Sequence, residues 1–407
     1  MALRSLVLLA AALQLVLLTG PSQAGTTRLG KLEAAFARES YRAGETARLA
    51  LWRAGGDITV QVFRSGPERV KTRGNQTMNG VAVTRPARYR AGSRLMMRIG
   101  DWPTGVYFAR VAARGRRIAF APFVVRPRRL GEHRVAVVLP TLTWQAYNLR
   151  DEDDDGVGDS WYASWRHKTV RLGRPFLSRG VPYNFRRYDL PFLQWLARTG
   201  KRVDVLAQSD LEAAPSPRAL AAAYELIVFP GHHEYVTRRE YDLVERFRDL
   251  GGNLAFLSAN NYFWQVARRG AWVTKTRLWR DLGRPEASLI GVQYLANGKA
   301  PRQPWIVRRS PAARWILAGT GLREGSRFGL GGVEIDRTSP ASPRGVDVVA
   351  EIPNLFGRGK TAQMTYYETA AGAKVFAAGA FYFTRLAHVD PITSRILQNI
   401  WAELTTG

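Results

Sequence analysis

The chain has 407 residues, 46% of them hydrophobic, a formal net charge of +27 and no cysteine. Without thiols, disulfides, thiolate metal sites and cysteine nucleophiles are excluded, so apolar cores must hold the fold, and this length suffices for at least two. The positive excess is mostly arginine spread along the chain, with no basic arm or recognisable nucleic-acid module, which argues against a specific nucleic-acid partner.

Residues 1 to 24 combine a single charge at Arg4, an apolar run from Leu6 to Leu18, a helix-breaking Gly20-Pro21 and small residues at Ser22 and Ala24. This pattern predicts a secretory signal peptide cleaved after Ala24. Removing it takes away only Arg4, leaving +26. No later segment approaches the roughly 18 uncharged residues of a membrane span. The expected mature chain is therefore secreted or held in the cell envelope, with no transmembrane segment.

From 29 to 127, short alternating runs such as Ala47 to Trp52, Ile58 to Phe63 and Val106 to Val111 are punctuated by Gly44-Glu45, Gly55-Gly56 and Pro103-Thr104-Gly105. They predict an all-β, immunoglobulin-like sandwich. Arg126-Pro127-Arg128-Arg129 reads as a linker, after which the pattern changes.

Between 130 and 407 the apolar runs Arg134 to Pro140, Val203 to Leu206, Leu226 to Phe229, Leu254 to Leu257 and Lys374 to Ala378 read as strands buried on both faces of a parallel sheet. Helical spacing follows from Leu190 to a stop at Gly200, from the cap Thr237 to a stop at Gly251-Gly252, and from Pro391 to Leu404. The alternation predicts a doubly wound α/β domain, flavodoxin-like or glutamine-amidotransferase-like. Its rhythm is broken from about 265 to 370 by a Gly- and Pro-rich, β-rich insertion expected to cover the active face.

In open α/β sheets ligands bind beyond the carboxyl ends of the strands. Those ends carry Thr143-Trp144-Gln145-Ala146-Tyr147-Asn148, Gly231-His232-His233-Glu234-Tyr235 and Asn260-Asn261, with Arg187-Tyr188-Asp189 ahead of another strand. Aromatic packing is the ordinary use of Tyr147 and Tyr188, and a solvated polar loop is the ordinary use of paired histidines. Together, however, a carboxylate, two phenols, a histidine and an amide could form a hard-metal site.

These segments, with Tyr188-Asp189-Leu190-Pro191-Phe192 and Gly251-Gly252-Asn253-Leu254, resemble the C-terminal region of the large (beta) subunit of N,N-dimethylformamidase over roughly residues 130 to 407. The resemblance implies a mononuclear iron, Fe3+, held by Tyr147, Tyr188 and Glu234. It implies His232 and Asn260 as nearby catalytic groups and, more loosely, Glu368 as a late carboxylate. A ferric ion favours such oxygen donors and would activate a water to attack an amide carbonyl, with His232 relaying protons and Asn260 donating to the developing oxyanion. The implied substrate is a small-molecule or wall-derived amide. His233 stands where the family usually has proline, and Val236 where it usually has tryptophan.

Asp151, Asp153, Asp155, Gly156 and Asp159 match the first part of a calcium loop, although Tyr162 replaces the glutamate at its twelfth position. A solvated acidic run is the plain alternative; calcium is favoured, with a structural role. No G-x-S-x-G nucleophile elbow is present. Three functional readings stand: an exported metal-dependent amidohydrolase, a non-catalytic carbohydrate- or wall-binding protein with the same fold, and a basic polyanion binder.

Overall fold

Alternating runs in the N-terminal third give strands with one face in and one face out, and they pack as two sheets. The structure, a computed structural model, describes residues 31–405 except 91, 93, 115 and 116; the expected signal segment lies outside the described residues. One sheet joins Glu33–Phe36, Thr46–Trp52 and Arg94–Arg98. The other is built on the long hairpin Gly105–Ala113 and Arg117–Arg126, flanked by Ser40–Arg42 and Asp57–Arg64. Leu49, Val60, Tyr107 and Phe123 fill the space between them.

Runs that are apolar on both faces behave differently. Val135–Leu139, Leu226–Phe229, Asn253–Phe256 and Asp204–Ala207 are buried at every position. Each fully buried aliphatic side chain contributes about 1.5–3 kcal/mol, so these strands are driven to the middle of the molecule. With Lys374–Ala377 they pair in parallel, in the order Asp204–Ala207, Val135–Leu139, Leu226–Phe229, Asn253–Phe256, Lys374–Ala377. The helices expected from periodicity form at Leu190–Thr199, Arg238–Asp249 and Pro391–Leu404. Thr237 caps the second by accepting a hydrogen bond from the Glu240 amide at 3.1 Å, and Gly200 ends the first with φ +65°.

The β-rich stretch from about 265 to 370 divides in two. Trp264–Arg269 and Trp272–Leu278 form a hairpin that joins Tyr235–Thr237 and Thr169–Arg171 in a separate four-stranded sheet. Most of the remainder prolongs the central sheet beyond Lys374–Ala377 with Ala362–Glu368, Asp347–Ile352, Gln303–Val307, Arg327–Arg337 and Gln293–Asn297, all antiparallel. That part extends the sheet edge rather than covering it.

The sandwich docks on the other half through specific contacts. Arg150 pairs with Glu33 at 2.9 Å, Ser40 donates to Asp210 at 2.6 Å, and Thr104 Oγ1 accepts from the Val205 amide at 2.8 Å. Val106, Phe108, Phe120 and Val124 share one apolar cluster with Phe192, Trp195 and Val137. Among the described residues no helix is long and apolar enough to cross a membrane.

Candidate metal centre

Three strand ends deliver the first groups of the site. Val135–Leu139 stops at Pro140 and runs into a short helix, Thr141–Ala146, whose C-cap is Tyr147. Leu226–Phe229 stops at Pro230, and the following turn carries His232 and Glu234 before Tyr235–Thr237. Asn253–Phe256 leads to Asn260, whose φ of +52° lies in the left-handed region that asparagine tolerates better than most side chains.

Glu234 is the centre of the cluster. Its carboxylate, 3% exposed, accepts hydrogen bonds from Tyr147 Oη at 2.8 Å and from Tyr162 Oη at 3.0 Å and 3.1 Å; Tyr162 Oη also lies 2.5 Å from Tyr235 Oη. His232 Nε2 sits 3.4 Å from Glu234 and 3.7 Å from a second, largely desolvated carboxylate, Glu334, and makes no hydrogen bond. Glu334 accepts from Asn260 Nδ2 at 2.7 Å, while the Asn260 backbone amide donates to Asp336 at 2.9 Å and 3.0 Å.

The electrostatics of this cluster point one way. Burial pushes Glu234 up despite donation by Tyr147, Tyr162 and Tyr235, and burial followed by the charge of Glu234 pushes Glu334 well up. Burial, then these carboxylates, also raises the Tyr147 phenol, and burial beside His233 lowers His232 to about 3. Among the described residues no Lys or Arg forms an ion pair with Glu234 or Glu334. Lys275, the cation felt by Glu234, lies over the Trp264 ring at 4.6 Å. Oxygen donors gathered without a counter-charge are costly unless a cation joins them, and a bound cation reverses the upward push on the carboxylates and the phenol while keeping His232 neutral. The donor set thus fits a hard metal ion.

Tyr188 is buried at the end of the short helix Phe185–Tyr188, against Phe381 with ring centroids 4.8 Å apart. His232 packs on the same Phe381 ring at 4.7 Å. Burial and then the neighbouring Tyr382, Tyr183 and Glu334 raise the Tyr188 phenol. It borders the cluster but makes no hydrogen bond to Glu234. The adjacent Asp189 accepts from Trp144 Nε1 at 3.2 Å, and burial raises it to about 8. A Cβ on Gly231 would fall 2.2 Å from Asp189 Oδ1, so only glycine lets the histidine turn approach this carboxyl group.

His233, the other member of the histidine pair, is a core residue. Its ring meets Phe229 edge-on and contacts the Gly231 carbonyl at 3.2 Å, and its amide donates to Asn261. Val236 is likewise buried in the core.

Glu368 requires correction. It is exposed at the end of Ala362–Glu368, accepts from Tyr366 at 2.5 Å and pairs in register with Lys374, the first residue of a parallel strand. Antiparallel pairing therefore puts it at the edge opposite the strand ends that carry the cluster. Glu334 is the late carboxylate that enters the site, from the strand Arg327–Arg337. Its signal in the sequence was a lone acid in Gly331-Gly332-Val333-Glu334-Ile335, where Val333 takes φ +71° and the pairing shifts register, redirecting the side chains that follow. Tyr162 was also missed as a site residue, since it stood only as the wrong ending of a calcium loop.

Within that loop, carboxylate oxygens of Asp151, Asp153 and Asp159 lie within 4.8 Å of one another. Asp155 is not part of this group and accepts from the Val157 amide at 2.7 Å. Gly156 supplies the turn with φ +88°, and its amide donates to Asp151 at 2.9 Å. Buried Arg174 fastens the preceding segment by donating to the carbonyls of Gln145, Asn148 and Arg150.

A buried site of phenols, carboxylates and a free imidazole nitrogen can be set beside known proteins. The family model described as N,N-dimethylformamidase beta subunit-like, C-terminal, matches residues 93–391. The chain belongs to this family. The matched range begins inside the sandwich, well ahead of residue 130. The N,N-dimethylformamidase beta subunit of Paracoccus aminophilus is 28% identical over 192 residues, covering 46% of this chain and 24% of that protein. The match thus spans about a quarter of that dimethylformamidase subunit. Among solved structures, a superoxide reductase (neelaredoxin) from Ignicoccus hospitalis matches 24% of this chain and 79% of its own at 12% identity and a TM-score of 0.16. A cycloisomaltooligosaccharide glucanotransferase from Paenibacillus sp. matches 56% of this chain and 45% of its own at 11% identity and a TM-score of 0.18. Likenesses this weak carry no argument about fold or chemistry.

Proposed function

We propose that this chain is an exported, metal-dependent hydrolase of C–N amide bonds, acting on a small-molecule or wall-derived amide. The observation that carries this reading is the pair of poorly solvated carboxylates, Glu234 and Glu334, gathered with phenols around an unbonded imidazole nitrogen in a chain of the N,N-dimethylformamidase beta subunit-like family. The strand order also supports a doubly wound, flavodoxin-like or glutamine-amidotransferase-like reading of the parallel half, and the two packed sheets support an immunoglobulin-like reading of the sandwich.

In this reading Tyr147, Glu234 and Tyr188 hold ferric iron. When bound, that ion supplies a Lewis acid and a water of lowered pKa. The chain's own groups do the rest. His232 Nε2, between two carboxylates and free of hydrogen bonds, is positioned to accept and return a proton. One N–H of the Asn260 amide holds Glu334, which leaves the second for a substrate oxygen as negative charge develops there. Glu334 takes the part expected of Glu368 and is held at the end of its reach by Asn260. The Tyr162 hydroxyl, bonded to both oxygens of Glu234, fixes the orientation of that carboxylate. Calcium bound by Asp151, Asp153 and Asp159 is proposed to stiffen the loop that ends at Tyr162.

The test is metal analysis of the purified protein together with amide turnover. Stoichiometric iron, a phenolate-to-iron absorption band and release of amine from simple formamides are expected. A colourless, metal-free and inactive protein, with added iron giving neither colour nor turnover, would contradict the proposal.

A further inference from the structure

One wall of the site is basic and unmatched. The guanidinium of Arg302 lies 4.2 Å from the centre of the Tyr382 ring and donates to Tyr382 Oη at 3.0 Å, and that of Arg385 lies 4.9 Å from the same ring. Tyr382 in turn meets Tyr188 edge-on, with ring centroids 5.9 Å apart. The charge of Arg187 reaches the Tyr188 and Tyr183 phenols, and its Nε is buried without a hydrogen-bond partner. Tyr183 stacks on Tyr147 at 4.9 Å, which brings this wall round to the proposed iron ligands.

None of Arg187, Arg302 and Arg385 forms an ion pair with a carboxylate among the described residues, whereas the buried Arg150 and Arg174 both do. Burial and then the like charges of Arg302 and Arg187 hold Arg385 below its ordinary value. Three guanidiniums kept together without an acid repel one another, and an arriving oxyanion would relieve that repulsion. The groups around His232 are acidic instead, with Glu234 and Glu334. A site so polarised also orients what it binds.

We propose that the amide substrate carries an oxyanion, a carboxylate or sulfonate a few bonds from the scissile C–N bond, and that Arg302, Arg385 and Arg187 receive it while the amide faces Glu234 and His232. This rests on the hydrolase reading for the word substrate, but the anion site stands on its own geometry. Arginine forks match planar oxyanions bidentately, and stacking on Tyr382 pre-orders two of the three. The proposal separates this chain from an enzyme built for small neutral amides, which has no use for such a wall.

The experiment pairs N-formylglycine with its methyl ester on the iron-loaded full chain, and adds calorimetric titration with ethanesulfonate, a poor metal ligand that contains no amide. The acid should be preferred by about tenfold or more in kcat/KM, carried by KM and lost as salt is raised. Arg302→Gln combined with Arg385→Gln should bring kcat/KM for the acid down to that for the ester and abolish the ethanesulfonate binding. Arg302→Lys, which keeps the charge and loses the fork, should fall between. Ethanesulfonate binding that depends on the arginines, with no amide hydrolysed, would support the anion site and sink the hydrolase reading. Equal turnover of acid and ester, unaltered by the double substitution, would overturn the anion site and leave the hydrolase reading intact.

Discussion

Two acidic clusters in this molecule use the same chemical groups at very different cost. In the loop after Tyr147, Asp151, Asp153 and Asp159 are partly or fully exposed and their oxygens are answered by nearby backbone amides. In the other cluster Glu234 is buried and the Glu334 side chain is only 13% exposed, and desolvation pushes both upward. Water screens the first set fully and the second poorly. A buried, unpaired carboxylate pair persistently lowers stability, which is why it carries more functional weight than a longer acidic run on the surface.

The largest effects should separate three of the phenols around the buried cluster. Tyr147→Phe and Tyr188→Phe keep ring volume and remove only the hydroxyl, so each is expected to bleach the iron absorption band and abolish turnover. Tyr162→Phe removes two hydrogen bonds to Glu234 rather than a metal ligand, and should weaken iron affinity by about 10–100-fold while the band persists at high iron. If Tyr188→Phe behaves like Tyr162→Phe, Tyr188 supports the site without ligating.

The surface cluster should respond to calcium and leave iron alone. At ~100 times its dissociation constant, calcium would stabilise the fold by about 2.7 kcal/mol, read as a rise in melting temperature that chelation reverses. Asp153→Ala and Asp159→Ala should each remove the effect, and Asp155→Ala should not, because only the first two belong to the converging group. A melting temperature indifferent to calcium would reduce the loop to a solvated acidic patch.

How far these two clusters were legible in the sequence depends on their construction. The acidic loop is local, so its spacing could be read directly, and only the exclusion of Asp155 needed coordinates. Tyr147, His232, Glu234 and Asn260 were also readable, because each comes after a run of apolar residues that ends at the same edge of the sheet. Glu334 was not. It comes from a long strand of the sheet extension, and a register shift with Val333 at positive φ decides where its side chain goes. Glu368 looked equivalent because sequence distance from the histidine turn says nothing about strand direction. Tyr162 was hidden for a similar reason, since an acidic stretch without periodicity gave no sign that the tyrosine beyond it turns back onto Glu234.

A smaller effect tests whether burial by itself, away from the metal centre, accounts for the raised carboxylates. Glu240 is fully buried on the helix Arg238–Asp249, bonded by Gln208 at 2.8 Å and Tyr262 at 3.3 Å, with Glu212, Glu39 and Arg268 nearby. Burial and then the charge of Glu212 push it well above the ordinary carboxylate range. A group raised in the folded state contributes stability below its unfolded value, about 4.3 for glutamate, and loses it as pH climbs through the folded value. Glu240→Gln should therefore melt a few degrees above wild type in alkaline buffer, with the advantage shrinking toward that unfolded value and iron content unchanged.

The central claim is that the buried carboxylate of Glu234, beyond the end of Leu226–Phe229, exists to hold a metal ion. Iron content of purified Glu234→Gln tests it most directly, beside its melting temperature. The amide is the same size as the carboxylate and removes a buried charge, so the account predicts iron reduced to trace with a fold as stable as the metal-free wild type. Iron retained at wild-type occupancy in a folded Glu234→Gln protein would contradict it.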